Sequence, residues 1–242
     1  RTSAETAAFF PRAPGSPKYV YRPPESTGDG WPTARCKDVG IDEAALAAAV
    51  QRIIDIDPAG NRPWMIHSIA VAYKGKLVLD EYFFGYRREE AHDTRSAAKM
   101  FSSLILGTLM KEGVNISPTT KVYDVMAPLG PFANPDTRKK DITLEHLMSH
   151  SAGLACDDFS RTPPHDEDKV QADWTKVTLD LPMQYDAGKH YAYCSMNINL
   201  AGATLSQATG EWLPAIFDRQ VARPLKFAPY YWNLQGNGEG YL

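Results

Sequence analysis

Residues 92–110 read HDTRSAAKMFSSLILGTLM, a polar run that leads into an apolar pattern with helical spacing. Ser96 and Lys99 stand three positions apart where this pattern begins, so a helix would place the hydroxyl and the amine on one face. A serine hydroxyl becomes a good nucleophile when a base removes its proton, and a lysine in an apolar setting can be that base. We therefore predict a helix from Ser96 to Glu112, ended by Gly113, with Ser96 as candidate nucleophile and Lys99 as candidate base.

The surroundings of this pair decide whether the pattern is catalytic, because a Ser-x-x-Lys match also arises by chance. We expect four apolar neighbours to bury the amine: Met100, Phe101, Leu104 and Ile105. Burial disfavours the charged form of a lysine, and free N–H groups at a helix N-terminus can stabilise an oxyanion.

A second candidate is Tyr193, in the sequence Tyr193-Cys194-Ser195. It comes just before a predicted helix that begins at Ser195 and ends before Gly210. A phenol can both donate and accept a proton, so a tyrosine beside the serine and lysine could pass protons between them. A buried structural tyrosine is the alternative. The segment around Tyr231 has a similar pattern, but no helix follows it.

Other residues offer rival sites. Ser151 lies in Ser149–Gly153, which resembles a nucleophile elbow, but it follows a predicted helix where that motif needs a strand. His92 and Asp93 could complete a triad with Ser96, although we interpret them as loop anchors. The acidic run at 166–168 lacks metal-ligand spacing and predicts a solvated loop face.

Composition limits the class of protein. The chain has 242 residues, of which 43% are hydrophobic and 23% charged, as in globular proteins. The net charge of −3, from 26 basic and 29 acidic side chains, does not favour nucleic acid as a partner. No apolar stretch is long enough for a membrane span. Three cysteines allow one disulfide and show no zinc spacing, so we expect neither metal nor cofactor.

The chain divides into three predicted regions. Residues 1–40 are rich in proline and glycine and predict an extended arm, residues 41–90 a helix plus a hairpin, and residues 91–242 a mainly helical subdomain. The further predicted elements are a helix over 42–56, stopped by Pro58 and Gly60, strands over 66–73 and 76–84 with a Lys74-Gly75 turn, a helix over 143–150, and a long loop over 157–176.

Several segments, taken in order, resemble the serine β-lactamase-like superfamily, which includes penicillin-binding proteins, class C β-lactamases, family VIII carboxylesterases and 6-aminohexanoate-dimer hydrolase. The segments are His67–Val71 with Lys74–Val78, His92–Lys99, Ile142–Leu154, Tyr193–Ser195 with Ala201-Gly202 and Thr209-Gly210, and Arg223–Leu225. The resemblance covers about residues 40 to 242. It implies an α+β, β-lactamase/transpeptidase-like fold in which helices flank an antiparallel sheet beside a mainly helical subdomain.

By this resemblance, Ser96 is the acylated nucleophile, Lys99 its base, and Tyr193 the residue that passes the proton to the leaving group. Ser195 falls where many relatives carry asparagine and would support or contact the substrate. The Tyr-x-Ser pattern is most similar to 6-aminohexanoate-dimer hydrolase. Serine offers a hydroxyl in place of a carboxamide, so β-lactam recognition is less favoured.

One element of the family pattern is missing, since no strand with a KTG-like or HxG-like triplet follows Tyr193. We therefore expect the sheet to be incomplete in this chain and one edge of the hairpin to pair with a complementary C-terminal segment or second chain.

The sequence thus predicts a serine hydrolase that acts on a small ester or linear amide. A β-lactamase or DD-peptidase is the alternative, and a non-catalytic binding module is a second. The first residue is Arg1, which indicates a trimmed N-terminus and leaves the periplasm, secretion and the cytoplasm all open.

Overall fold

The computed structural model describes residues 18–56, 66–160, 173–238 and 240. These residues form two compact units, one that runs to His92 and one that starts at Asp93. Each unit has its own cluster of buried apolar side chains.

The first unit packs two helices and a hairpin. Its elements are α1 (Cys36–Val39), α2 (Glu43–Ile54), β1 (Ser68–Tyr73) and β2 (Lys76–Tyr82). Asp42 caps α2 by accepting hydrogen bonds from two backbone N–H groups in the first turn. Lys74 and Gly75 both have positive φ, which suits the tight turn that the sequence predicts.

The sheet is open, as predicted. β1 and β2 pair in antiparallel register, with a bulge between Val71 and Ala72, and form a two-stranded sheet in the described residues. On the other side of β2, Leu77 makes a single parallel bridge with Thr33. β1 stays half-exposed, whereas Val78 and Leu79 of β2 are fully buried.

The described part of the 1–40 arm contributes to the apolar core of the first unit. The side chains of Tyr19 and Tyr21 are buried, and the Tyr21 hydroxyl donates to the Val78 carbonyl at 2.9 Å. The arm also contains α1, which the sequence analysis missed.

The second unit is mainly helical. Its helices are α3 (Met100–Lys111), α4 (Val122–Val125), α5 (Leu144–Met148), α6 (Trp174–Asp180), α7 (Ser195–Thr209) and α8 (Leu213–Phe217). Short 3₁₀ helices cover Arg95–Lys99, Ala127–Leu129 and Thr137–Asp141, and a π-helical turn covers Asp218–Ala222. Thr143 begins α5 with a capping box, and Gly210 ends α7 with positive φ, where the sequence predicts the end of that helix.

α7 is the central element of this unit. Its residues from Ser195 to Leu205 are all buried, and α3, α4, α5, α6 and α8 pack around it. A helix that is buried on all sides has a fixed position, because any shift would open cavities in a close-packed interior. The start of α7 is therefore a rigid support for the residues that precede it.

Three sequence expectations need correction. The predicted helix at Ser96 begins as a 3₁₀ helix, and the α-helix starts only at Met100. Met100 and Leu104 were expected to bury Lys99, but they are 64% and 43% exposed because they lie on the outer face of α3. The predicted loop over 157–176 is shorter, since Asp173 caps α6 from Trp174.

Some predictions fall outside the described residues, namely the helix stop at Pro58 and Gly60, the acidic run at 166–168 and the first part of the arm. Among the helices that the structure describes, none is long and apolar enough to cross a bilayer.

Candidate active site

The 3₁₀ helix Arg95–Lys99 presents the candidate nucleophile and base. Residues at i and i+3 are eclipsed in a 3₁₀ helix, so Ser96 and Lys99 share one face more strictly than in an α-helix. The turn is held at its start by Asp93, whose carboxylate accepts a hydrogen bond from the Arg95 N–H at 2.9 Å. Arg95 itself has a φ of 48°, in the left-handed region. Ser96 is exposed to solvent and so open to a substrate.

Tyr193 reaches this turn from the segment before α7. Its hydroxyl donates a hydrogen bond to Ser96 Oγ at 2.7 Å. The ammonium nitrogen of Lys99 lies 5.4 Å from the centroid of the Tyr193 ring, in cation–π range. In the described residues Lys99 makes no hydrogen bond to Ser96, so Tyr193 is the group that both of them contact.

Two further rings border Tyr193. The imidazole of His150 stacks on it with ring centroids 4.6 Å apart, and the ring of Phe159 lies against it at 5.3 Å. The Phe159 side chain is 81% exposed. An exposed aromatic ring beside the contact between Tyr193 and Ser96 offers an apolar surface.

The backbone around Tyr193 is fixed by Asp158. The Asp158 N–H donates to the Tyr193 carbonyl at 2.8 Å, and the Asp158 carboxylate accepts from both the N–H and the hydroxyl of Ser195. Ser195 is 4% exposed. The Asp158 carboxylate thus holds both donors of the first residue of α7, and a contact between Ser195 and a substrate stays a prediction.

A disulfide joins Cys156 to Cys194, the residue between Tyr193 and Ser195. The sequence allowed one disulfide without identifying the pair. Cys156, Asp158 and Cys194 lie close enough together to hold a metal ion, but both sulfur atoms are consumed by the disulfide and cannot act as thiolate ligands. The third cysteine, Cys36, is free and buried in the first unit.

His150 is a titratable group in direct contact with Tyr193. Its Nδ1 accepts a hydrogen bond from the Cys194 N–H at 3.1 Å. Burial lowers the pKa of His150 below its usual 6.5, and the positive charge of Lys99 acts in the same direction. The imidazole is therefore neutral at neutral pH.

The rival candidates lie elsewhere. Ser151 shares a hydrogen bond with the Ser149 hydroxyl. The ring of His92 lies 4.4 Å from that of Tyr86 in the first unit, and the Asp93 carboxylate accepts from the Arg95 N–H. Tyr231 is 67% exposed, and the described residues show no contact between it and Ser96.

Sequence reasoning missed the roles of His150 and Asp158. His150 lies inside the Ile142–Leu154 segment that carries the family resemblance, so a signal existed for it. Asp158 falls in the predicted loop 157–176, where nothing distinguishes it from its acidic neighbours. Only the folded chain shows that both contact the residues around Tyr193.

With this fold and geometry established, the chain belongs to the beta-lactamase family, whose family model matches residues 66–241. No curated protein matches the chain.

Many solved structures are similar to this chain, among them the following three. A candidate β-lactamase from Bacteroides dorei DSM 17855 has a TM-score of 0.60 and 18% identity, covering 76% of this chain and 52% of its own. A family VIII carboxylesterase has a TM-score of 0.50 and 26% identity, and the match covers 65% of this chain and 43% of the esterase chain. EstCE1, a hydrolase with promiscuous acyltransferase activity, has a TM-score of 0.50 and 18% identity, covering 72% and 53%. The chain thus spans about half the length of these structures.

Proposed function

We propose that this chain carries the nucleophile of a serine hydrolase that cleaves an ester or a linear amide through an acyl-enzyme on Ser96. The observation that carries the proposal is the 2.7 Å hydrogen bond between Tyr193 Oη and Ser96 Oγ at a solvent-accessible position. An exposed hydroxyl in contact with a proton-transfer group meets the requirement for a nucleophile that a substrate carbonyl can reach.

In the proposed reaction, Ser96 Oγ forms a bond to the substrate carbonyl carbon while its proton passes to Tyr193 Oη, whose own phenolic proton passes to the neutral amine of Lys99. The tetrahedral intermediate then breaks its bond to the leaving oxygen or nitrogen, which takes up that proton through Tyr193. Water then attacks the acyl carbonyl carbon and gives a proton to the same relay, the bond from that carbon to Ser96 Oγ breaks, and Ser96 Oγ takes up the proton as the acid leaves.

Lys99 supports this proton path by its position over the Tyr193 ring. As a neutral amine it can accept the proton, and as an ammonium it stabilises the negative charge that develops on the phenol oxygen. The direct contact between Tyr193 and Ser96 favours a route in which Tyr193 lies between the serine and the lysine.

The substrate class follows from two observations. The hydroxyl of Ser195 is buried and bonded to Asp158, so at this position no carboxamide is offered to a β-lactam amide. The likeness to a family VIII carboxylesterase supports an ester. We rank esters and linear amides above β-lactams, and a screen of p-nitrophenyl esters, a linear amide and nitrocefin tests that order.

The nucleophile is tested with a fluorescent serine-directed phosphonate and intact-mass analysis. We expect one covalent adduct, at Ser96, that Ser96→Ala abolishes and Ser151→Ala leaves in place. Ser151 is the matched control because its hydroxyl is in a similar loop position within the same unit. An adduct on Ser151 with Ser96 unmodified contradicts the proposal.

A folded chain that binds esters without labelling would instead support the non-catalytic binding module. In the described residues β1 pairs on one side only, so we also propose that a complementary segment completes the sheet. Comparing the phosphonate labelling rate of this chain alone with that of the same chain in the presence of such a segment tests whether the segment contributes to the reaction.

A further inference from the structure

We propose that His150 is a positioning residue whose neutral imidazole holds Tyr193 against Ser96 and releases it on protonation. The inference rests on the proposed function in so far as it concerns the reaction of Ser96. It assigns His150 no contact with the substrate, because the ring stacks on Tyr193 and its Nδ1 faces the backbone of Cys194.

His150 contacts the Tyr193 segment at three points. Its backbone carbonyl accepts from the Ala192 N–H at 2.9 Å, its ring stacks on Tyr193, and its Nδ1 accepts from the Cys194 N–H. One histidine thus accepts hydrogen bonds from the residues on either side of Tyr193 and stacks on the Tyr193 ring itself. His150 has a φ of 56°, an uncommon value for a side chain with a Cβ, and such values are tolerated where the surroundings fix them.

The Nδ1 atom faces two opposite partners. It lies 3.1 Å from the Cys194 N–H, which can only donate, and 3.1 Å from the Cys194 carbonyl oxygen, which can only accept. A neutral imidazole with its proton on Nε2 selects the N–H. A protonated ring carries a proton on Nδ1 as well, so Nδ1 can no longer accept from the Cys194 N–H. It donates to the Cys194 carbonyl oxygen instead. Protonation of His150 therefore changes its hydrogen-bond partner from the N–H to the carbonyl of Cys194, the residue that follows Tyr193.

Charged and titratable groups meet His150 from each element around it. Lys99 from the 3₁₀ helix repels a proton on the ring, whereas Asp158 from the following loop attracts one. Tyr193 and Tyr191 come from the segment before α7, Tyr191 with its edge toward the ring at 6.0 Å. Burial and Lys99 together lower the pKa of His150, so the neutral, Tyr193-holding form persists through neutral pH and is lost on acidification.

The test compares wild type with His150→Asn, because a carboxamide oxygen can accept the Cys194 N–H and does not titrate in this range. His190→Asn is the matched control, since His190 also stacks on a tyrosine, Tyr185, at 4.0 Å but is exposed and makes no described contact with Ser96, Lys99 or Tyr193.

The first readout is the NMR signal of the Tyr193 ring in tyrosine-labelled protein, identified by its loss in Tyr193→Phe, followed from about pH 8 to about pH 5. We expect this signal to shift with the titration of His150 in wild type and in His190→Asn, and to lose that shift in His150→Asn. A Tyr193 signal that ignores the titration of His150 overturns the proposal. Should His150→Asn fail to fold, the wild-type titration alone decides.

The second readout is the rate of phosphonate labelling at Ser96 over the same range. We expect the ratio of the wild-type rate to the His150→Asn rate to fall roughly tenfold toward acid, because small displacements of a catalytic group are costly. Equal pH profiles overturn the positioning role and leave the proposed function intact. If the Tyr193 signal follows His150 but Ser96 never labels, the proposed function fails and the positioning role stands.

Discussion

The hydroxyl oxygens of Tyr193 and Ser96 lie 2.7 Å apart although 97 positions of sequence separate the two residues. One hydroxyl belongs to a short 3₁₀ helix, and the other precedes the buried helix α7. Their separation is therefore controlled by how α7 is held in the core and by how the residues before it are clamped.

Removal of the Tyr193 hydroxyl tests the contact. Tyr193→Phe keeps the ring between His150 and Lys99 and removes only the oxygen, so the fold should be unchanged. We expect phosphonate labelling of Ser96 to slow by roughly a hundredfold, the lower end of general acid–base contributions. Tyr231→Phe is the control and should label at the wild-type rate. A normal rate in Tyr193→Phe would show that the tyrosine is not on the proton path.

Loss of the disulfide should affect both stability and reaction. Cys156 and Cys194 are 38 positions apart, and replacing both with serine should lower the free energy of unfolding by about 2–4 kcal/mol. Because Cys194 adjoins Tyr193, labelling should also slow at temperatures well below unfolding. Denaturant titrations give the free energy.

Reductant provides the control for the disulfide. It should destabilise the wild type toward the level of the double-serine variant and leave that variant unchanged. Identical unfolding midpoints for the wild type with and without reductant would contradict a stabilising disulfide.

Asp158 should stabilise the start of α7. Its carboxylate accepts from the N–H and the hydroxyl of Ser195, so Asp158→Ala leaves two donors without that partner. We expect a loss of about 1 kcal/mol in the free energy of unfolding, as for other helix-capping residues. Asp157→Ala is the comparison. Its carboxylate accepts one N–H, from exposed Phe159, and should matter less. Equal losses in the two variants would argue against the capping role.

Gly153 should tolerate no side chain. Its φ is 80°, and a Cβ there would lie 2.2 Å from the Tyr185 carbonyl oxygen. Gly113 has nearly the same φ, 82°, but nothing within 4 Å of its Cβ position. Both alanine variants carry the same backbone penalty, so the difference between them isolates the clash. Thermal unfolding should show Gly153→Ala well below Gly113→Ala, and similar midpoints would refute the close approach.

The sequence predicted elements whose patterns are local. The hairpin followed from two short apolar runs on either side of the Lys74-Gly75 turn, and α7 followed from helical spacing up to Gly210. The 3₁₀ turn at Ser96 was missed because periodicity does not separate a 3₁₀ start from an α-helix. The exposure of Met100 was missed because an apolar residue does not reveal which face of its helix is covered. α6 was hidden by the polar, proline-containing segment before it.

The candidate site was predictable only in part. The Ser96–Lys99 pair could be argued from spacing, whereas its link to Tyr193 came from the family resemblance. The clamp formed by His150, Asp158 and the disulfide needs tertiary structure, since its members come from separate segments. Three cysteines leave the pairing open until the chain is folded.

The oxidation state of the three cysteines records the compartment in which the protein folded. The folded protein has no accessible thiol for an alkylating reagent, because Cys36 is fully buried and the other two sulfur atoms are bonded to each other. Once the chain is denatured without reductant, a molecule that folded in an oxidising compartment exposes Cys36 alone, whereas one made in a reducing cytosol exposes all three. The mass added by the reagent to protein taken directly from its host therefore reports which compartment it came from.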